Sequence, residues 1–277
     1  MRARALRDPE LPEAARPGWP PWYAPAALFG GFGAVLVAGF PLLPVILAFG
    51  ISEAVAGIAL LVLLLVQDAL LVLAAVLFAS IRSTPRRWHF GIRATRFWPT
   101  VGWALLGFAV MLGFELGYVE LFNIDETNVD YFGEDNLVAG FALAVGVIVV
   151  APVAEEIFFR AFFYRALRTG LPVWSAALID GVVFGSLHFQ GIDTAVILPV
   201  IAVFGVGQCL IYERTGSLFA VIAIHAAFNT VATLGIQPLV ALAVGAMMIT
   251  TCAVLSRLTG PAPSPFGIDP RARPLLA

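Results

Sequence analysis

Few side chains in this sequence can do chemistry, and those that can fall into three spaced sets. Glu155-Glu156 is followed by Arg160, His188 follows Phe184 by four residues, and Asn229 follows His225 by four. A carboxylate and an imidazole can together take a proton from water. A second imidazole and an amide N–H can then donate to the oxyanion that forms when the water attacks a carbonyl. Glu155, His188, His225 and Asn229 are therefore the candidate catalytic residues. The trio Glu155, His188 and His225 is also a possible ligand set for a metal such as zinc.

Glu156 and Arg160 stand four apart with the acid toward the N-terminus, the spacing of a same-face ion pair. Glu155 lies about 100° around the same helix, so one acid is matched and the other left free. Glu156 and Arg160 are expected to support Glu155. Pro152 is expected to open the helix that carries both acids, placing them in its first turn where the dipole favours negative charge.

The elements that hold these groups must lie in a membrane. The chain has 277 residues, of which 60% are hydrophobic and only 12% charged. An average soluble domain is about 25% charged, so too little polar surface is left to coat a globule in water. Net charge of −2 excludes a basic nucleic-acid surface, and two cysteines in apolar runs make no disulfide framework.

A spanning helix needs about 20 mostly apolar residues. Read against that length, the chain has eight spans, at residues 26–51 (bent at Pro41 and Pro44), 54–80, 97–114, 136–154, 171–189 and 194–212, with two more between Thr215 and Ser256. The last run is twice a bilayer long and breaks at Leu234-Gly235-Ile236-Gln237-Pro238. The expected fold is an all-α polytopic bundle over 26–258, between cytoplasmic tails at 1–25 and 259–277. The first run is too long, and its preceding segment too acidic, for a cleaved signal peptide.

All 16 basic residues are Arg, and with eight spans and the N-terminus inside, every one falls on the inner side. The outer loops hold Glu53, Asp193 and the acidic stretch from Glu115 to Asp135. By the positive-inside rule both termini face the cytoplasm. The all-Arg, Ala-rich and Val-rich composition suggests a bacterial chain, and hence a multi-pass protein of the bacterial plasma membrane.

Each motif has a blander reading. A lone His or Asn in a membrane helix is more often interhelical glue than a catalyst. Asp180 lies on the stripe of Phe184 and His188 and either orients that imidazole or pairs with an Arg. Gln67 and Asp68, inside the second span, are expected to make a structural polar contact. His89 is expected to be solvated. Phe158, Phe159, Phe162 and Phe163 either line an apolar entry or face lipid. Counting along the spans leaves His188 nearer the outer face than Glu155, so a bend is expected at Pro152, Gly181 or Gly185.

Three spaced motifs weigh more than one. Glu155-Glu156-x-x-x-Arg160, Phe184-x-x-x-His188 and His225-x-x-x-Asn229, in that order on successive spans, resemble the CAAX-protease and bacteriocin-processing (CPBP) family of intramembrane proteases. Glu213-Arg214-Thr215-Gly216-Ser217-Leu218 is similar to the family's lead-in to the second His motif. The resemblance covers a protease-like core at about 140–234 and departs at Ala161, where the family commonly has Gly.

It implies an intramembrane endopeptidase in which Glu155, helped by His188, activates water while His225 and Asn229 hold the oxyanion. Members are often described as metalloproteases, although glutamate-dependent, metal-free chemistry is also known among them. No H-E-x-x-H zinc helix is present here, and no cofactor is expected, with zinc the alternative. The expected partners are the lipid bilayer and a membrane-associated or secreted peptide or protein, and not nucleic acid. Prenylated proteins are not carried over as substrates to a bacterial chain. The competing class is a transporter, ligand-binding protein or scaffold built on the same polar cluster. Convergence of the four residues separates the two.

Overall fold

The structure, a computed structural model, describes residues 17–39, 53–124, 137–189, 191–235 and 237–259, with 263–264 and 267–268. The bend expected at Pro41 and Pro44, most of the acidic loop and the outer parts of both tails lie outside these residues. The chain forms an all-helical membrane bundle. Its rods are α1 (Tyr23–Gly39), α2 (Glu53–Ser80), α3 (Phe97–Phe122), α4 (residues 137–168), α5 (Val173–Ser186), α6 (Leu198–Thr215), α7 (Leu218–Leu234) and α8 (residues 238–258). A two-residue hairpin, Pro263–Ser264 with Gly267–Ile268, is the one sheet pairing among the described residues. Leu61–Ser80, Phe97–Phe122, Gly140–Arg168 and Pro238–Leu255 are long and apolar enough to cross a membrane, whereas α1, α5 and α7 are apolar but shorter.

Three boundaries differ from expectation for physical reasons. The third helix continues past Phe114 to Phe122, where Asn123 ends it in the left-handed conformation at φ 47°. Glu115 and Glu120 are therefore helical. The fourth does not end at Ala154: α4 runs unbroken to Arg168, with π-helical turns at Gly146–Val150 and Ile157–Tyr164. Glu155 and Glu156 consequently sit in mid-helix, and the expected dipole stabilisation at a first turn does not apply. The fifth element stops at Ser186, leaving His188 beyond its end.

Small residues set the closest approaches. A Cβ on Gly181 would lie 2.6 Å from Ala202 O, and one on Gly185 would lie 2.9 Å from Ala202 N. α5 and α6 thus run antiparallel with backbones in contact, the packing that small residues permit in membranes. Gly181 and Gly185 form a seam rather than the bend expected of them. The bend-like irregularity is instead the π-helical turn just ahead of Pro152.

The Arg-bearing segments come together at one end of the bundle. Arg165 Nε donates to Tyr212 Oη (2.9 Å), Arg214 lies over Trp103 and Arg257 over Phe97. The Leu218 N–H bonds Gly91 O, tying the loop after α2 to the start of α7. Residues ahead of α1 also enter the core. Trp19 is 1% exposed, donates Nε1–H to Ala79 O and stacks on Phe162. His89 is not simply solvated: it meets Trp19 edge-on, and its Nδ1 accepts the Arg86 N–H. Phe158, Phe159, Phe162 and Phe163 are all buried, filling the core instead of lining an entry or facing lipid.

Candidate active site

The site is built on the middle of α4. Glu156 and Arg160 lie one turn apart, both fully buried, and Arg160 Nη1 donates to Glu156 Oε1 at 2.9 Å. The guanidinium lies over the Phe184 ring at 4.3 Å, and Gly205 leaves it room, since a Cβ there would approach Arg160 Nη2 to 3.3 Å. Its Nε faces Asp180 Oδ1 at 3.7 Å, and the Cys209 thiol donates to the same oxygen. Asp180 therefore pairs with Arg160 and does not orient His188.

Glu156 Oε1 accepts two further bonds, from His225 Nδ1 at 2.8 Å and from Gln208 Nε2 at 3.2 Å. This changes the part played by Glu156: its partner in the site is His225, not Glu155. A carboxylate that accepts from Nδ1 fixes the proton there and turns the other ring nitrogen outward. His225 Nε2 faces Glu155 Oε2 at 3.7 Å. Glu155 is thus the acid not consumed by structural pairing, and its side chain keeps 14% exposure where that of Glu156 has none.

Gln208 was not identified from the sequence. Besides Glu156 it donates to Val221 O at 2.8 Å, bracing α6 against α7 behind His225. The available signal was an uncharged amide within an apolar run, which is as often glue as function.

Asn229 lies one turn beyond His225, and its position follows from Pro152. In the π-helical turn the Ala151 N–H reaches back five residues to Gly146 O. The next bond in that register would run from residue 152 to Val147 O, but proline has no N–H to give. Asn229 Nδ2 donates to Val147 O instead, at 2.8 Å. The second hydrogen on that nitrogen remains for another acceptor.

His188 follows the end of α5, with its Nδ1 2.9 Å from Phe184 O. A carbonyl can only accept, so Nδ1 carries the proton and neutral His188 presents Nε2 as an acceptor. Phe184 contacts both imidazoles, with ring centroids 4.8 Å from His188 and 5.8 Å from His225. The structure thus brings Glu155, Glu156, Arg160 and His225 into direct contact. His188 joins through one shared aromatic ring, and Asn229 through the backbone of α4.

As zinc ligands the trio fits poorly. Among the described residues no three His, Cys, Asp or Glu side chains converge closely enough to hold a metal ion.

Residues 137–231 match the family model for type II CAAX prenyl endopeptidases, Rce1-like. This segment is Rce1-like. It starts with α4 and ends three residues short of the end of α7, so it holds all six candidate residues and Gln208. The family resemblance carried by the motifs is borne out, and with it protease activity as a general property of the family. The Rce1-like segment leaves out α1 to α3 and α8. No curated protein and no solved structure matches the chain.

Proposed function

We propose that the protein is an intramembrane endopeptidase that hydrolyses a peptide bond of a membrane-associated peptide or protein. Glu155 takes a proton from water as the water oxygen attacks the carbonyl carbon, and His188 Nε2 accepts a second hydrogen bond from that water. His225, held by Glu156 through Nδ1, presents Nε2 to the site and donates to the oxyanion when its ring carries both protons. Asn229 donates the N–H that Val147 leaves free. Glu155 then passes its proton to the leaving nitrogen as the C–N bond breaks, giving a carboxylate end and an amine.

The observation that carries this is the unequal use of two neighbouring acids within the Rce1-like segment. Glu156 Oε1 is committed to three protein donors, whereas among the described residues Glu155 forms no hydrogen bond and lies 3.7 Å from His225 Nε2. No step is routed through a metal, because the donor set does not converge on one. We place the protein as a multi-pass protein of a bacterial plasma membrane with both termini cytoplasmic, and the gathering of Arg-bearing segments at one end supports that end as the cytoplasmic one.

The test is cleavage of a quenched membrane peptide by the full-length protein in detergent. Glu155→Gln and His188→Ala should each lower kcat by about a hundredfold or more without unfolding, the usual scale for losing general-base catalysis. Wild-type turnover by Glu155→Gln would make the proposal wrong. Flux or ligand binding without cleavage by the wild type would favour the transporter or scaffold class.

A further inference from the structure

Asp68 lies outside the Rce1-like segment, in the middle of α2, and nothing above uses it. It is 2% exposed, and neither of its oxygens has a hydrogen-bond partner among the described residues. Among the described residues the structural polar contact expected for it is not made. A buried carboxyl with no partner is costly, and in a membrane helix more so.

Its position can be fixed from contacts on either side. Near one end of α2, Leu61 and Leu64 lie against Gly146 of α4, where a Cβ would meet their methyl groups at 3.1 and 3.3 Å. Near the other end, Ala79 O accepts from Trp19, which stacks on Phe162 of α4. The two helices thus run parallel, and Asp68 falls level with the segment Ala151–Glu156, against which α2 packs. Glu155 is within about one helical turn of it and within its electrostatic reach. Two carboxyl groups, one without a hydrogen-bond partner among the described residues and one paired with His225 at 3.7 Å, therefore lie at the same level of α4.

We propose that Asp68 is a further residue of the reaction site and that its carboxyl group, together with Glu155, holds the attacking water. This rests on the endopeptidase function proposed above. Of the two hydrogens of the water, one points to Glu155 and the other is shared between His188 Nε2 and Asp68 as a three-centre bond, which leaves a lone pair directed at the carbonyl carbon. The proton removed from the water goes to Glu155 and from there to the leaving nitrogen, and Asp68 ends the cycle with the protons it began with. The rod that closes the site over α4 is in this way part of the chemistry, although it lies outside the matched segment.

The experiment compares wild type, Asp68→Asn, Asp68→Leu and Glu155→Gln, all full-length in detergent, on one quenched membrane peptide that wild type cleaves. Asp68→Asn keeps the volume of the side chain and should lower kcat by about tenfold to a hundredfold with KM within about twofold. Both Asp68 variants should melt no lower than wild type, because each removes a carboxyl whose burial nothing offsets. Wild-type kcat in Asp68→Asn overturns the proposal, as does a lowered melting temperature with unchanged turnover per folded molecule, which marks a structural acid. Should Asp68→Leu fail to fold, Asp68→Asn alone decides. If Glu155→Gln cleaves like wild type, the endopeptidase assignment itself fails, an outcome separate from slow Asp68 variants beside an inactive Glu155→Gln.

Discussion

Two charged clusters sit a few turns apart along α4, and they are built differently. At the end of the bundle, Glu213 accepts from Tyr164 Oη at 2.9 Å and from Arg168 Nε and Nη2 at 3.2 and 2.8 Å, while Arg168 Nη1 donates to Leu171 O. Both carboxylate oxygens and the whole fork of the arginine are used. Deeper in, Glu156 Oε1 takes three donors while Glu156 Oε2, Asp180 Oδ2 and Gln208 Oε1 have none among the described residues. The outer cluster is closed on itself and ties helices together. The inner one concentrates its bonds on a single oxygen that orients His225 and leaves Glu155 open. Saturated pairing marks a structural cluster, whereas incomplete pairing in a buried place marks one that has a further partner to meet.

That contrast can be broken most severely at Glu156. Glu156→Gln should lower peptide cleavage by about a hundredfold and stability by about 3–5 kcal/mol, because Arg160 would be left buried with a weaker partner. Turnover per folded molecule and thermal melting check the two parts separately. A stable variant with normal turnover would mean that orientation of His225 through Nδ1 is unimportant.

Next comes the path from Pro152 to Asn229. Pro152→Ala restores an N–H that can compete for Val147 O, and cleavage should fall by about tenfold as Asn229 loses its anchor. Asn229→Ala should fall further, and the double variant should be no slower than Asn229→Ala alone. Additive losses would show that Pro152 acts elsewhere.

The outer cluster should respond in the opposite sense. Glu213→Gln is expected to cost about 1.5–3 kcal/mol of stability, the scale of hydrogen bonds to charged groups, with turnover per folded molecule within about twofold of wild type. Chemical denaturation followed alongside peptide cleavage tests this.

The smallest effect is at His89, at the same end. Burial first, then the charges of Arg165 and Arg86, hold its imidazole below the usual value of 6.5. The unfolded chain therefore binds the proton more readily. The stability this group supports is present above about pH 6.5 and is lost as pH falls through the lowered folded value. Melting temperature should drop less in His89→Gln than in wild type between pH 7 and pH 5.

Much of this arrangement was legible in the sequence. Apolar run lengths gave eight rods, and the motif spacing gave the pairing of Glu156 with Arg160, because both depend on local periodicity. What escaped depends on where separate helices meet. The ends of α4 and α5 differ from expectation because acids paired inside the protein do not end a helix at Glu155, and an apolar run up to Phe189 outlasts the helix that it contains. Pro152 signalled a disturbance, but not that the freed carbonyl of Val147 would be taken by a side chain from α7. The link from Glu156 to His225 joins residues 69 apart, and Gln208 reaches it from a third helix. No spacing rule connects them. Phe158, Phe159, Phe162 and Phe163 read as surface because a membrane helix shows little amphipathic contrast between lipid and protein faces.

The most direct test of the contrast between the clusters sets Glu155→Gln beside Glu213→Gln in one preparation, measuring kcat on the same membrane peptide per folded molecule. Glu155→Gln should be slower than wild type by about a hundredfold or more at near-normal stability, and Glu213→Gln should turn over normally at reduced stability. Equal turnover in the two variants, or a slower Glu213→Gln, would contradict the assignment of chemistry to the open cluster.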